Sequence, residues 1–582
     1  MEIPRLVGLS SVGAFRPRGG PALGAAGQTI EKQRGGGDTL VRSSQTSIMK
    51  KHKRLFARIL VPAATVAVWM AATLSPLPAQ EIQLNVLERT LKNGMKVLLV
   101  ERHDAPTVAL YLRFRVGGVD DPQGKTGIAH LLEHIMFKGT KTYGTTNYRA
   151  EVPIMEKIDR TYAELDRERR KRGSLYEKAD EEKIRRLEQE MTSLEQEQKK
   201  YIVTDEFSQT YLRLGGVGLN ASTGADSTQY FVQLPSNQLE VWASVEADRL
   251  ANPVFREFYA ERDVVHEERR MRTDTQPGGL LWENFQSAAF QAHPYRNPVI
   301  GWPSDIDNLT REEVLQYFKT FYAPNNSIAA VVGDIDPDRT MSLLEKTFGT
   351  IPPQTLPRRS ISEEPPQKGE RRVTIVLDAQ PQLQIGYHIP QIGHEDGYAL
   401  DVLAQILAGV SPGSRTGRLY RSLVLEKKVA LEADAGAMSS LYPNLFLIDA
   451  TPAQGKASEE VEKALYEEIE KIQAEPPAAE EITRVRNNVD ASLIRALRTN
   501  MGVARLITSV EHLTGSWRYL LTERERLKAV TAEDVQRVAK KYFSPENRTV
   551  AELRAKTPEG GNPQAPGIPA AQRQEETPAE GR

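Results

Sequence analysis

The chain has 582 residues, which at about 150 residues per domain is too long for a single core and points to several compact units. Lys and Arg number 76 against 77 Asp and Glu, a net charge of −1, so no global excess draws it to nucleic acid or to acidic lipid. With 0 Cys, disulfides, thiolate metal sites and cysteine nucleophiles are excluded, and any metal must be held by His and carboxylates.

In chain order, residues 1–48 are rich in Gly and Arg with little hydrophobic periodicity, which predicts disorder or an upstream start outside the mature protein. From Met49 the pattern changes. Lys50, Lys51, Lys53 and Arg54 form a basic head, Ile59 to Leu74 an apolar stretch, and Leu77-Pro78-Ala79 a small-residue exit. That is the layout of a secretory signal peptide over 49–79, so Met49 reads as the true start. The mature chain then begins near Gln80 or Glu81 and is exported, to the periplasm. The alternative is a retained anchor that keeps the chain at a membrane, for which the apolar run is short of the roughly 20 residues a spanning helix needs.

Beyond Leu84, short apolar runs such as Val97–Val100 and Val108–Leu112 alternate with helical patterns, an α+β arrangement. A Pro-rich stretch holding Pro352, Pro353, Pro357, Pro365 and Pro366 predicts a linker over 351–370, between domains at 84–350 and 371–555. The two halves end alike. Thr310 to Val314 leads into Phe321-Tyr322-Ala323-Pro324, and Thr531 to Val535 leads into Tyr542-Phe543-Ser544-Pro545. Each copy places Thr at a helix N-cap, an acid three residues on, and a Pro-terminated helix before an apolar strand, which predicts a duplicated domain. Within the first half, 155–205 is dense in charge. Its Ile184, Leu187, Met191, Leu194 and Tyr201 mostly alternate three and four apart, and Arg172-Gly173-Ser174 offers a turn, so it reads as a protruding helical hairpin. Residues 556–582 have almost nothing to bury and are expected to be disordered.

The chemistry concentrates in Gly127-Ile128-Ala129-His130-Leu131-Leu132-Glu133-His134. On a helix, Glu133 and His134 fall within a sector of roughly 100° that includes His130. Two imidazoles at i and i+4 can ligate one ion, and the carboxylate between them can take a proton from water; zinc (Zn2+) favours such ligands. A third ligand is sought in Glu261-Arg262-Asp263-Val264-Val265-His266-Glu267-Glu268. Glu261 and Glu268 lie two turns apart on one face, while Glu267 points about 100° from Glu268. Glu268 is therefore the better ligand, with His266 an alternative.

This motif with its downstream acidic helix resembles the inverted-zincin metallopeptidases of the pitrilysin/insulinase family, in its two-domain processing-peptidase-like subgroup. Phe137-Lys138-Gly139-Thr140, Leu219 to Thr223, His293-Pro294-Tyr295 and Tyr322 to Asn326 are similar to the same family. The resemblance implies two related α/β domains of the mitochondrial-processing-peptidase type. It implies His130, His134 and Glu268 as zinc ligands, Glu133 as general base, and Glu261 as a second acidic position supporting the catalytic site. Asn220 and Ala221 would lie on an edge strand that pairs with extended peptide, near Phe137, in a zinc endopeptidase cutting short or unfolded peptides. Family members also receive an Arg and a Tyr from a later domain, and around Tyr442 to Phe446 no Arg stands in place. The second half lacks its own His-x-x-Glu-His, so a complete chamber implies a homodimer or a heterodimer with a related metal-free subunit. The alternative is a non-catalytic assembly or binding subunit of a peptidase-like complex.

Overall fold

The computed structural model describes residues 84–409 and 413–556. The expected upstream start, the signal peptide and the tail beyond Lys556 lie outside the described residues. Among the described residues, no helix is long and apolar enough to cross a membrane.

Among the described residues, eleven strands form two mixed sheets. The first contains β1 (Leu87–Thr90), β2 (Lys96–Glu101), β3 (Thr107–Phe114), β4 (Val217–Thr223), β5 (Thr228–Pro235) and β6 (Ser327–Gly333), in the order β1-β2-β6-β3-β5-β4. The second contains β7 (Arg371–Leu377), β8 (Gln382–Ile389), β9 (Ala430–Ala437), β10 (Asn444–Pro452) and β11 (Arg548–Ala555), in the order β7-β11-β8-β10-β9. Burial explains the strand sequences. Every residue of the central β6 is buried, and it reads Ser-Ile-Ala-Ala-Val-Val-Gly, whereas β5 alternates buried and half-buried positions.

Without β1, the sheets repeat strand for strand. The parallel pair β2 and β6 corresponds to β7 and β11, and the antiparallel neighbours β3, β5 and β4 correspond to β8, β10 and β9. The helices used below are α1 (Ile128–Ile135), α2 (Tyr148–Arg170), α3 (Glu181–Lys199), α4 (Phe258–Arg269), α5 (Pro277–Ala289), α6 (Arg311–Phe321), α7 (Asn500–Thr514) and α8 (Ala532–Tyr542). Both α6 and α8 open on a reciprocal capping box, Thr310 with Glu313 and Thr531 with Asp534, and each leads through a Pro-Xaa-Asn turn into the strand that parallels its sheet's first long strand.

The helical hairpin has other bounds than 155–205 and a different setting. Its first helix, α2, begins at Tyr148, capped by the Asn147 side chain, and α3 ends at Lys199, so Tyr201 lies beyond the helical seam. Pro153 sits in the second turn of α2, where it removes a single intrahelical bond and leaves the helix continuous. The hairpin is docked, not free-standing. Ile154, Ile158, Tyr162, Leu165, Ile184, Leu187, Met191 and Leu194 belong to the first domain's core, and Tyr162 stacks on Tyr259 of α4 at 3.9 Å.

The 351–370 stretch contains no helix or strand, yet it is anchored. The Glu364 carboxylate accepts the backbone N–H groups of Gln291, Ala292 and His293 at 2.7 to 3.0 Å. A further apolar cluster packs Leu281, Phe285 and Ala289 of α5 against Leu445, Ala551 and Leu553 of the second sheet.

Candidate metal centre

Helix α1 owes its position to its own sequence. Ile128, Leu131, Leu132 and Ile135 recur at helical spacing and are buried, which turns His130, Glu133 and His134 to the other face. Gly127, at φ +87°, makes the sharp entry, and a Cβ there would come within 2.6 Å of the Ile300 carbonyl oxygen. The Asp121 carboxylate takes the first free amides, those of Gly127 at 2.8 Å and Ala129 at 3.3 Å.

Helix α4 supplies the opposing face. Fully buried Val265 fixes its rotation, and Glu261 and Glu268 lie towards α1. Glu268 Oε2 stands 3.1 Å from His134 Nε2 and 3.7 Å from His130 Nε2. One ligand atom from each of these three residues lies within 4.8 Å of the other two. Glu261 Oε1 is 3.0 Å from His134 Nδ1, which orients that ring, and its other oxygen accepts from Lys138 Nζ at 2.5 Å. The remaining candidates of this helix stand apart: His266 pairs with Asp307 at 3.0 Å, and Glu267 is exposed and pairs with Arg270.

Glu133 accepts a hydrogen bond from Thr223 Oγ1 at 2.5 Å. Thr223 closes β4, the last strand of its sheet, which also carries Asn220 and Ala221 opposite Phe231 and Tyr230 of β5. Phe137 is half-buried and lines, with Leu219, Asn220, Tyr230 and Arg249, a small cavity of about 10 Å³. Near Tyr442, where the local sequence offers no Arg, the linker provides Arg359. Its guanidinium pairs with Asp120 at 3.0 Å, and its charge acts on the Tyr442 hydroxyl.

The charges follow from this packing. Burial and the neighbouring His134 push His130 down to about 4, so its ring is neutral. Burial opposes charge on His134 too, but hydrogen bonds to Glu261 and Glu268 outweigh it and raise this ring to about 9. Glu268 is held at about 2, since its burial is overcome by His134, His130 and Arg272. Burial raises Glu133, against the Thr223 bond that lowers it.

Two imidazole nitrogens and one carboxylate oxygen converging from two helices make the donor set that suits zinc. The Nδ1 of His130 is buried and has no hydrogen-bond partner among the described residues, so Nε2, facing Glu268, is the ring's polar contact, and neutral imidazole is the ligating form. Thr223, Lys138 and Arg272 touch the candidate residues but were not singled out in the sequence. Thr223 and Lys138 stood inside recognised stretches, and only their contacts set them apart.

Two duplicated α/β units, one bearing a His-His-Glu group beside a half-buried glutamate, define a peptidase-like protein. The chain belongs to the insulinase (peptidase M16) family: residues 96–167 and 171–302 match the insulinase model, and 308–489 match the model described as the peptidase M16 inactive domain. The chain is 28% identical over 475 residues to a zinc protease, PqqE, of Helicobacter pylori, covering 80% of this chain and 92% of that one. It is 23% identical over 465 residues to a probable mitochondrial-processing peptidase subunit beta of Arabidopsis thaliana, covering 78% and 75%. Among solved structures, a protease from Helicobacter pylori superposes with a TM-score of 0.66 at 26% identity, covering 81% of this chain and 100% of that one. A structure from Pseudomonas fluorescens, described as a peptidase M16 inactive domain, matches with a TM-score of 0.64 at 16% identity and shows the same fold.

Proposed function

We propose that the chain is a zinc-dependent endopeptidase acting on short or unfolded peptides. The observation that carries this reading is the convergence of His130, His134 and Glu268, with Glu133 on the same helix face as the two imidazoles. Relatives named as zinc proteases support it. His130, His134 and Glu268 would hold the ion. Zinc bound there supplies a Lewis acid that polarises a carbonyl and makes water a stronger acid.

The chain's own groups do the rest. Glu133, raised by burial yet held by Thr223, takes the proton of the attacking water and returns it to the leaving amine. The outer edge of β4 at Asn220 and Ala221 offers backbone groups to an extended peptide, so binding makes little demand on sequence.

The single His-x-x-Glu-His leaves one such site per chain, and the chamber is completed by a second copy or a related metal-free subunit. A relative named as a beta subunit supports this. The basic head and apolar run after Met49 support export to the periplasm. The test is a quenched-peptide assay on the purified mature chain, with and without a chelator, alongside its native mass. Chelator-sensitive cleavage is expected; a chain that binds zinc yet cleaves nothing, alone or with a related subunit, overturns the enzyme reading.

A further inference from the structure

Helix α4 does not end cleanly at Arg269. It continues through one wider turn, Arg270–Asp274, closed by a hydrogen bond from Thr275 N to Arg270 O at 3.0 Å. Such turns inside helices are rare and cluster at functional sites. This one is clamped on both sides. Arg269, buried before it, donates twice to Glu283 of α5, at 2.7 and 3.0 Å, and once to the Gly301 carbonyl at 2.9 Å. Gly279 of α5 lies against the turn's backbone, where a Cβ would stand 2.2 Å from the Arg272 carbonyl oxygen and 2.8 Å from Thr273 Cα. No other residue fits at 279 without displacing the turn.

The clamped turn presents Arg272. Its Nη1 pairs with Glu268 Oε1, while Glu268 Oε2 is the atom that faces both imidazoles. We propose that Arg272 is a positioning residue for the metal centre: it occupies one oxygen of Glu268 and thereby aims the other at the ion. The inference rests on the zinc reading above. A guanidinium beside a ligand has two opposed effects. Its charge repels the cation, and its hydrogen bond fixes the carboxylate. Arg272 is 58% exposed, so water screens the repulsion, while the orientation is not screened. Groups that orient metal ligands typically contribute 10- to 100-fold in affinity.

The test measures zinc affinity by chelator competition on the full mature chain for wild type, Arg272→Ala and Arg272→Lys, with thermal unfolding of each protein in its metal-free form. Arg272→Ala is expected to bind zinc about 10- to 100-fold more weakly. Arg272→Lys, which keeps a donor, is expected to recover part of that loss, and all three metal-free proteins to unfold at the same temperature. If wild type binds zinc and Arg272→Ala binds it equally well or better, Arg272 has no positioning role and the zinc reading stands. If the metal-free Arg272→Ala protein is itself destabilised, or Lys restores nothing, the role is structural and the proposal fails. A wild-type chain that takes up no zinc overturns the zinc reading and this inference with it.

Discussion

Thr223 at the end of β4 donates to Glu133 on α1 at 2.5 Å, so the strand expected to carry the peptide is tied to the carboxylate expected to do the chemistry. The bond favours the charged form of Glu133, against the burial that disfavours it. Replacing Thr223 with Val removes the donor and raises the Glu133 pKa further. The acid limb of the pH–rate profile is therefore expected to move to higher pH, with zinc content unchanged. An unmoved limb in that variant would separate Thr223 from the proton transfer.

Glu133→Gln keeps the shape of the side chain and removes the base. Zinc retention is expected, because Glu133 is outside the ligand group, together with a fall in peptide cleavage of about 100- to 10,000-fold. Metal analysis and steady-state kinetics on one preparation check both halves.

Zinc uptake should depend on pH through His134. In the metal-free chain this ring is raised to about 9 by Glu261 and Glu268 against its burial, so at neutral pH it carries a proton that a metal must displace. Affinity is expected to rise about tenfold per pH unit between pH 7 and 9, with about one proton released per ion bound. Calorimetry in buffers of different ionisation enthalpy counts that proton; release of none would contradict the charge state assigned to the ring.

In the second domain, Asp396 accepts from Lys541 Nζ and Tyr542 OH, each at 2.7 Å, and from Arg537. Its burial is outweighed by these bonds, and its pKa is depressed. A depressed carboxyl stabilises the fold fully above its unfolded value near 4 and loses that contribution as the pH falls through the folded value. Its two cationic partners are half-exposed and partly screened, so Asp396→Asn is expected to cost about 2 kcal/mol at pH 7. Urea unfolding should show the gap between variant and wild type closing below pH 4.

The sequence disclosed what local patterning encodes. The face shared by His130, Glu133 and His134 follows from helical geometry, as do the paired capping boxes at Thr310 and Thr531, and the two-domain α+β arrangement rests on them. What stayed hidden depends on distant partners. The docking of α2 and α3 is decided by Tyr162 meeting Tyr259 and Arg262, about a hundred residues on, and a charged seam alone reads as solvent-facing. Arg359 reaches Tyr442 from a Pro-rich stretch whose composition says only that it is irregular. Arg272 meets Glu268 at ordinary helical spacing, but the turn that presents it is set by Gly279, which contacts it only in the fold.

The most direct test of the account is the metal content of the purified mature chain and of its Glu268→Ala variant after dialysis against trace zinc. One zinc per wild-type chain, and loss of it on replacing a carboxylate 138 positions beyond His130, is the predicted result. Zinc held equally by both proteins, or by neither, would contradict it.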